Sequence, residues 1–157
     1  MTPQPADVRL ARPGDEELLF ALVRASDDEW TLMPRSYDKV RAVVRMATSS
    51  EVSPDAQPRF GVIDGPHGIE AAIGLYPTQP WDSDAHYLRA FFLYVAPDCR
   101  RSTHAKHLMQ FAKWFGELAA LPVVFELLHP ERTEAKMRLC ARQAPMVGGL
   151  YMHVVAA

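Results

Sequence analysis

The stretch VAPDCRRSTHAKHLMQFAKWF, Val95 to Phe115, decides how this chain reads. An amphipathic helix starts inside it. Ala105, Leu108, Met109, Ala112, Phe115 and, further on, Ala119 recur at helical spacing, and Ser102 or Thr103 can cap the helix. Its head carries Arg100, Arg101, His104, Lys106 and His107 and no acid. A helix N-terminus already has a partial positive charge and unpaired N–H groups, so acids are preferred there and stacked cations are unfavourable. Immediately before it, the largely apolar YLRAFFLYV, Tyr87–Val95, reads as a central strand. Free amides, the positive end of a dipole and basic side chains therefore converge beyond the carboxyl end of a strand. Such a junction is a ready site for phosphate, against the alternative of a solvated basic turn that binds nothing.

The rest of the chain makes that cluster a local feature. The 157 residues suit one domain, residues 1–157, with a sizeable core. Hydrophobic residues make up 48% and charged residues 23%, an ordinary globular composition. Net charge is −2 and the pI near 6.3, which argues against a non-specific nucleic-acid binder. Two cysteines, Cys99 and Cys140, make no disulfide framework. With no leader pattern and no apolar run long enough for a bilayer, the expected address is cytoplasmic and no membrane partner is expected.

Outward from the central strand, elements alternate. Val8–Ala11 is a short strand. Pro13-Gly14-Asp15 opens a helix with Leu18, Leu19, Leu22 and Val23 on one face. Ser26–Arg35 interrupts, and Ser36 or Asp38 starts a second helix with Val40, Val43, Val44 and Ala47 inward. Ser49–Pro58 is a polar loop. Arg59–Asp64 and Ile69–Leu75 form a hairpin about the turn DGPHG. Thr78–Ala85 is a loop before the central strand. After the cation-headed helix come a strand at Pro122–Leu128, a helix at Glu131–Gln143 and a last strand at Leu150–Val155. The first six residues are expected to be loose. The order β-α-α-β-β-β-α-β-α-β belongs to the α/β class.

On these residues the chain resembles the GNAT acyltransferases, a superfamily that moves an acyl group from acyl-coenzyme A to an amine. The family signature is a strand ending in Val, a turn, then Arg/Gln-x-x-Gly-x-Gly/Ala opening a helix. Here it is matched by Arg100-Arg101-Ser102-Thr103-His104-Ala105. Thr103 replaces the first glycine, and Ala105 stands at the second. Phage-type members are similar in their Arg-Arg-Ser turn, and WDSD, FAKWF and ERTEAKMRL are further points of likeness. The resemblance runs from Val8 to Val155. It implies a central mixed β-sheet flanked by about four helices.

The resemblance also implies roles. The amides of Arg101, Ser102, Thr103, His104 and Ala105 would cradle the pyrophosphate of acetyl-CoA, the acyl donor, with Arg100, Arg101 and Lys106 adding charge. The backbone of Leu93, Tyr94 and Val95, splayed from the next strand, would pair with the pantetheine amides. A strand edge has the free N–H and C=O groups for that. The acid missing from the helix head would be the cofactor's phosphates.

Catalysis is less explicit. Amine acylation needs a neutral amine, hence a group to take its proton, and help for the thiolate leaving group. The glutamate many members carry on the central strand is Ala90 here, and their tyrosine on the last helix is Cys140. Glu126 on the Pro122–Leu128 strand is the first substitute base and Glu70 on Ile69–Leu75 the second, although strand acids are commonly solvent-facing and structural. Cys140 could protonate the thiolate, its free pKa being about 8.5, or serve as a small buried hydrophobe. Tyr151 could reach inward or simply pack. Asp27, Asp28 and Glu29 beside Trp30, and Asp82 and Asp84 beside Trp81, would suit a cationic amine. Trp114 reads as core or rim.

His104 and His107 stand three apart on the helix, but no further Cys or His cluster joins them in sequence, so no metal is expected. The leading function is N-acyl transfer to a small-molecule or protein amine. The alternative is a catalytically weak acyl-CoA-binding or interaction module, suggested by Ala90 and Cys140. Nucleic acid is not an expected partner; a second copy of the chain, as a homodimer, is an allowed one.

Overall fold

The computed structural model describes residues 1–29, 33–50, 57–126 and 132–146. These form β1 (Arg9–Leu10), α1 (Glu16–Ala25), α2 (Tyr37–Thr48), β2 (Arg59–Gly65), β3 (Gly68–Thr78), β4 (Tyr87–Val95), α3 (His104–Ala119), β5 (Val123–Phe125) and α4 (Thr133–Ala141). Short 3-10 turns follow α1 at Ser26–Glu29 and β4 at Pro97–Cys99. The expected strand at Leu150–Val155, with Tyr151, lies outside the described residues, as does Trp30.

The sheet runs β1-β2-β3-β4-β5. Its first three pairings are antiparallel, and β4 with β5 is parallel, so the sheet is mixed as expected. The parallel step requires a crossover, which α3 supplies. Two cores result. Leu88, Ala90 and Leu93 of β4 meet Leu108, Met109, Phe111, Ala112 and Phe115 of α3, with Leu139 and Cys140 of α4 at the margin. Phe92 and Tyr94 join Leu19, Leu22 and Val23 of α1 and Val44 and Ala47 of α2 on the other face.

Local chemistry accounts for the helix starts. Ser36 Oγ accepts the Lys39 N–H at the head of α2. Glu16 and Glu17 occupy the first turn of α1, where the dipole favours them. At α3 the capping contact falls to Ser102, whose Oγ accepts the His104 N–H at 3.2 Å. Thr103 is the boundary residue and its side chain caps nothing.

Several expectations are corrected in detail. Leu18 is 43% exposed, and Phe20 takes the inward place beside Leu19. In α3, Phe111 and Gly116 are buried, whereas Ala105 and Ala119 are only half-buried. Strand β3 extends to Thr78, three residues past Leu75, and pairs there with Tyr87. The described part of β5 ends at Phe125. Near the chain start, Thr2 donates to both Glu117 carboxylate oxygens, through its backbone N–H at 2.5 Å and its hydroxyl at 2.6 Å. Arg9 ties β1 to Asp15 and Asp64.

Two β-bulges break the register of the sheet. In β4, Ala90 pairs with Leu75 and Phe92 with Gly74, leaving Phe91 as an extra residue. Alternation breaks there, so Phe91 and Phe92 both turn toward α1 and α2. Gly74 makes room: a Cβ on it would sit 2.6 Å from the Phe91 ring. In β3, Ile63 pairs with Ala71 and Asp64 with Ile69, so Glu70 is the extra residue.

Candidate active site

The candidate site begins at the end of the described β4–β5 pairing. The last pair among the described residues is Ala90 with Phe125, and the Glu126 N–H donates to the Ala90 carbonyl at 3.0 Å. Beyond it β4 continues for five residues, Phe91–Val95, and among the described residues nothing pairs with its β5-side edge. Leu93 and Tyr94 are buried and Val95 half-buried. An extended group laid in this opening would meet main-chain donors and acceptors.

The strand leads into the Pro97–Cys99 turn and the head of α3. Within that head, the N–H groups of Arg101, Thr103, Ala105 and Lys106 find no acceptor among the described residues. Arg101, Ser102, Thr103 and Lys106 are exposed, and neither Arg101 nor Lys106 has an ion-pair partner among the described residues. Among the described residues, unsatisfied amides and exposed basic side chains thus share the head of α3, the arrangement an anion requires.

The remaining basic side chains of the helix head are already matched by acids distant in sequence. Arg100 contacts Glu29 at 2.5 Å and its Nε donates to the Val95 carbonyl at 3.3 Å, with the guanidinium beside the Tyr94 ring. Glu29 is 7% exposed and its other oxygen accepts from Lys136 of α4 at 2.9 Å. His107 meets Asp7 at 2.7 Å, and His104 meets Glu70 at 3.4 Å. Sequence reasoning misses these partners because each comes from another element. Arg100 therefore braces the α1 end, the turn and α4, whereas Arg101 and Lys106 carry no such contact among the described residues. The Tyr94 hydroxyl donates to the Ala25 carbonyl, and burial pushes its pKa up, so it is a structural tyrosine.

The catalytic candidates are held differently. Ala90 is fully buried in the α3-side core, so a carboxylate in its place would be enclosed by apolar side chains. Glu126 stands one step away, at the end of β5. Its carboxylate lies against Arg89, with Nε 2.5 Å from one oxygen and the outer nitrogen donating to the other at 2.9 Å. Cys140 packs at the margin of the core, and burial pushes its thiol pKa up. It is a weaker acid than a free cysteine and fits the reading of a small hydrophobe. Glu70, the second base candidate, faces Cys99 and His104. Of the acids beside Trp30 and Trp81, Asp27 is taken by Arg35 at 2.6 Å and by the Tyr37 hydroxyl, leaving Asp28, Asp82 and Asp84 as acids without those contacts. Trp81 is 97% exposed, and Trp114 packs against the core. The bulged Phe91 lines a groove with Val40, Val43 and Phe60, whose rim carries Arg35 and Lys39. Among the described residues no helix is long and apolar enough to cross a membrane.

Neither a family model nor a curated protein matches the sequence. Solved structures do match the fold. An integron cassette protein from the mobile metagenome of Cole Harbour Salt Marsh superposes with a TM-score of 0.70 at 15% identity, over 99% of this chain and 93% of its own. The aminoglycoside N-acetyltransferase AAC(6')-Iy in complex with CoA gives 0.69 at 13% identity, over 96% and 95%. A ribosomal-protein-alanine N-acetyltransferase from Brucella melitensis biovar Abortus 2308 gives 0.67 at 14%, over 96% and 100%. At such identities the likeness is one of architecture: the mixed sheet, with α3 crossing over between the parallel strands β4 and β5, has the fold seen in GNAT-type acetyltransferases.

Proposed function

We propose that this chain is an acyl-CoA-dependent N-acyltransferase, taking acetyl-CoA or a related donor and acylating a small-molecule or protein amine. The observation that carries the proposal is the Phe91–Val95 edge, unpaired among the described residues, running into the α3 head, whose amides beside Arg101 and Lys106 find no acceptor among those residues. Pantetheine fits the first part as a further strand would, and pyrophosphate fits the second. The CoA complex of a neighbour with the same fold supports this choice of donor.

The reaction needs little from the protein beyond placement. The amine nitrogen attacks the thioester carbon, the C–S bond breaks, the thiolate leaves with CoA, and the amine proton goes to a base or to water. Glu126 is the base candidate because its backbone is bonded to Ala90, just past the described part of β5. To accept a proton it must work through a water or exchange its contact with Arg89.

The second reading, an acyl-CoA-binding module with weak turnover, is favoured by the ion-paired state of Glu126 and the raised pKa of Cys140. Calorimetry with CoA and acetyl-CoA, followed by turnover with a panel of amines across pH, separates the two. Saturable binding with turnover of at least one amine is expected. Binding without turnover at any pH leaves the module; no binding removes both readings.

A further inference from the structure

We propose that Glu70, Cys99 and His104 form a binding site for a single zinc-like divalent cation at the foot of the α3 turn. The three residues come from β3, the Pro97–Cys99 turn and the first position of α3. Their ligand atoms, a carboxylate oxygen, a sulfur and a ring nitrogen, all lie within 4.8 Å of one another. His104 Nε2 is 3.4 Å from Glu70 Oε2. In a tetrahedral site with bonds of about 2.0–2.3 Å, ligand atoms stand roughly 3.3–3.8 Å apart, so one of the three pairs is already at that spacing and the other two are no more than 4.8 Å apart.

The backbone is shaped for this convergence. Glu70 is the bulged residue of β3, and the bulge sends its side chain out of alternation. Gly65 leaves the space it occupies, since a Cβ there would lie 2.0 Å from the Glu70 carboxyl carbon. The Ala96 N–H donates to the Glu70 carbonyl at 2.8 Å, fixing the turn beside the strand. All three side chains are partly buried, and His104 Nδ1 is buried without a partner among the described residues.

The donor set selects the ion. One thiolate, one imidazole and one carboxylate suit borderline zinc over magnesium or calcium, which prefer oxygen alone. Two anionic ligands balance the cation's charge, and the thiol proton leaves to solvent on binding. Three protein ligands leave a fourth position for water. The ion would staple β3 to the turn and to the α3 head, holding the amides of that head in place. The inference is independent of acyl transfer, because it concerns residues bound to each other and not to a cofactor.

The test uses the full chain stripped with a chelator and titrated with zinc or cobalt ions alone, without CoA. One equivalent should bind, raise Tm, and in the cobalt form give a thiolate-to-metal charge-transfer band with tetrahedral visible bands. Cys99→Ser should remove the charge-transfer band and weaken zinc at least about a hundredfold. Glu70→Gln and His104→Gln should each weaken it at least about tenfold, which keeps the test intact if Cys99→Ser does not fold. Cys140→Ala and His107→Ala should leave binding and spectrum unchanged. Absence of stoichiometric binding, a band that survives Cys99→Ser, or a band lost in Cys140→Ala would overturn the proposal.

Discussion

The two flanks of the proposed site are built on opposite plans. On the α3 side, groups are left open: amides without acceptors, and Arg101 and Lys106 without acids among the described residues. On the β5 and α4 side, groups are closed: Glu126 against Arg89, Glu29 between Arg100 and Lys136, Asp27 against Arg35, and Cys140 at the core margin. An open set of donors has its binding capacity in the resting fold. A closed set must exchange partners before it can act. If the proposed function holds, the open flank needs no rearrangement to take an anion, while proton transfer calls for an exchange of partners or for an acceptor amine that arrives neutral.

The sharpest way to break that contrast is Glu126→Gln. If the carboxylate takes the amine proton through a water, kcat/KM should fall by about 10²–10⁴ while CoA affinity holds, the usual span of general-base catalysis. Arg89→Met, which releases Glu126 without removing it, should then shift the pH–rate profile. If both variants turn over at the parent rate and the rate follows the acceptor's own pKa, the closed flank is structural and the amine supplies its own neutrality.

Next in size is the brace. Glu29 is buried and grips two cations, so Glu29→Gln leaves Arg100 and Lys136 without a charged partner. Removing one member of a buried ionic group costs up to 3–5 kcal/mol, and with Arg100 27% and Lys136 14% exposed we expect about 2–3 kcal/mol. At this chain length that lowers Tm by roughly 5–10 °C, measured by calorimetric unfolding. CoA affinity should hold. A parallel loss of CoA affinity would show that Arg100, held where Glu29 keeps it, belongs to the open flank after all.

The difference between the flanks also explains what can be read in the sequence. Strand β4 and the cation-headed helix are legible because YLRAFFLYV is apolar almost throughout and α3 keeps its period over 16 residues. The mixed sheet follows from element order. The bulge at Phe91 is hidden because its neighbours Phe92 and Leu93 are equally apolar, so no break in polarity marks the lost alternation. Phe20 escapes for the same reason: in LLFALV, Leu18 and Phe20 are both plausible inward residues until the sheet fixes the helix's rotation. The ion pairs are out of reach for a different reason. Arg100 finds Glu29 across 71 positions and Lys136 reaches Glu29 across 107, distances at which no spacing rule applies. Charge clustering in sequence points to the anion site, but which cations are free is decided by tertiary partners.

That division predicts unequal effects within one basic cluster. Arg101→Ala and Lys106→Ala should each weaken CoA about tenfold, the worth of a charge-assisted hydrogen bond, and their effects should fall as salt rises. His107→Ala, whose ring is spoken for by Asp7, should change CoA affinity little. Calorimetric titration of the three variants at two ionic strengths checks the order. Equal losses in all three would mean that net charge of the helix head, and not the free pair, sets affinity.

The smallest expected effect is at Thr103, where the GNAT pattern has glycine. The residue is exposed, its φ of −86° is ordinary for any side chain, and its hydroxyl caps nothing. A glycine here is therefore not demanded by backbone strain; what it would supply is room for a phosphate to approach the amides. Thr103→Gly should leave CoA affinity equal or slightly improved, at a cost to stability of at most about 1 kcal/mol from added freedom in the unfolded chain. Ser102→Ala should cost about as much or more, since Ser102 carries the contact to the His104 N–H. Thr103→Trp tests the same space from the other side, because an indole over the free amides should exclude the pyrophosphate while the fold stands. If Thr103→Trp binds CoA as the parent does, the cofactor does not lie on the α3 head, and the open flank serves some other anion.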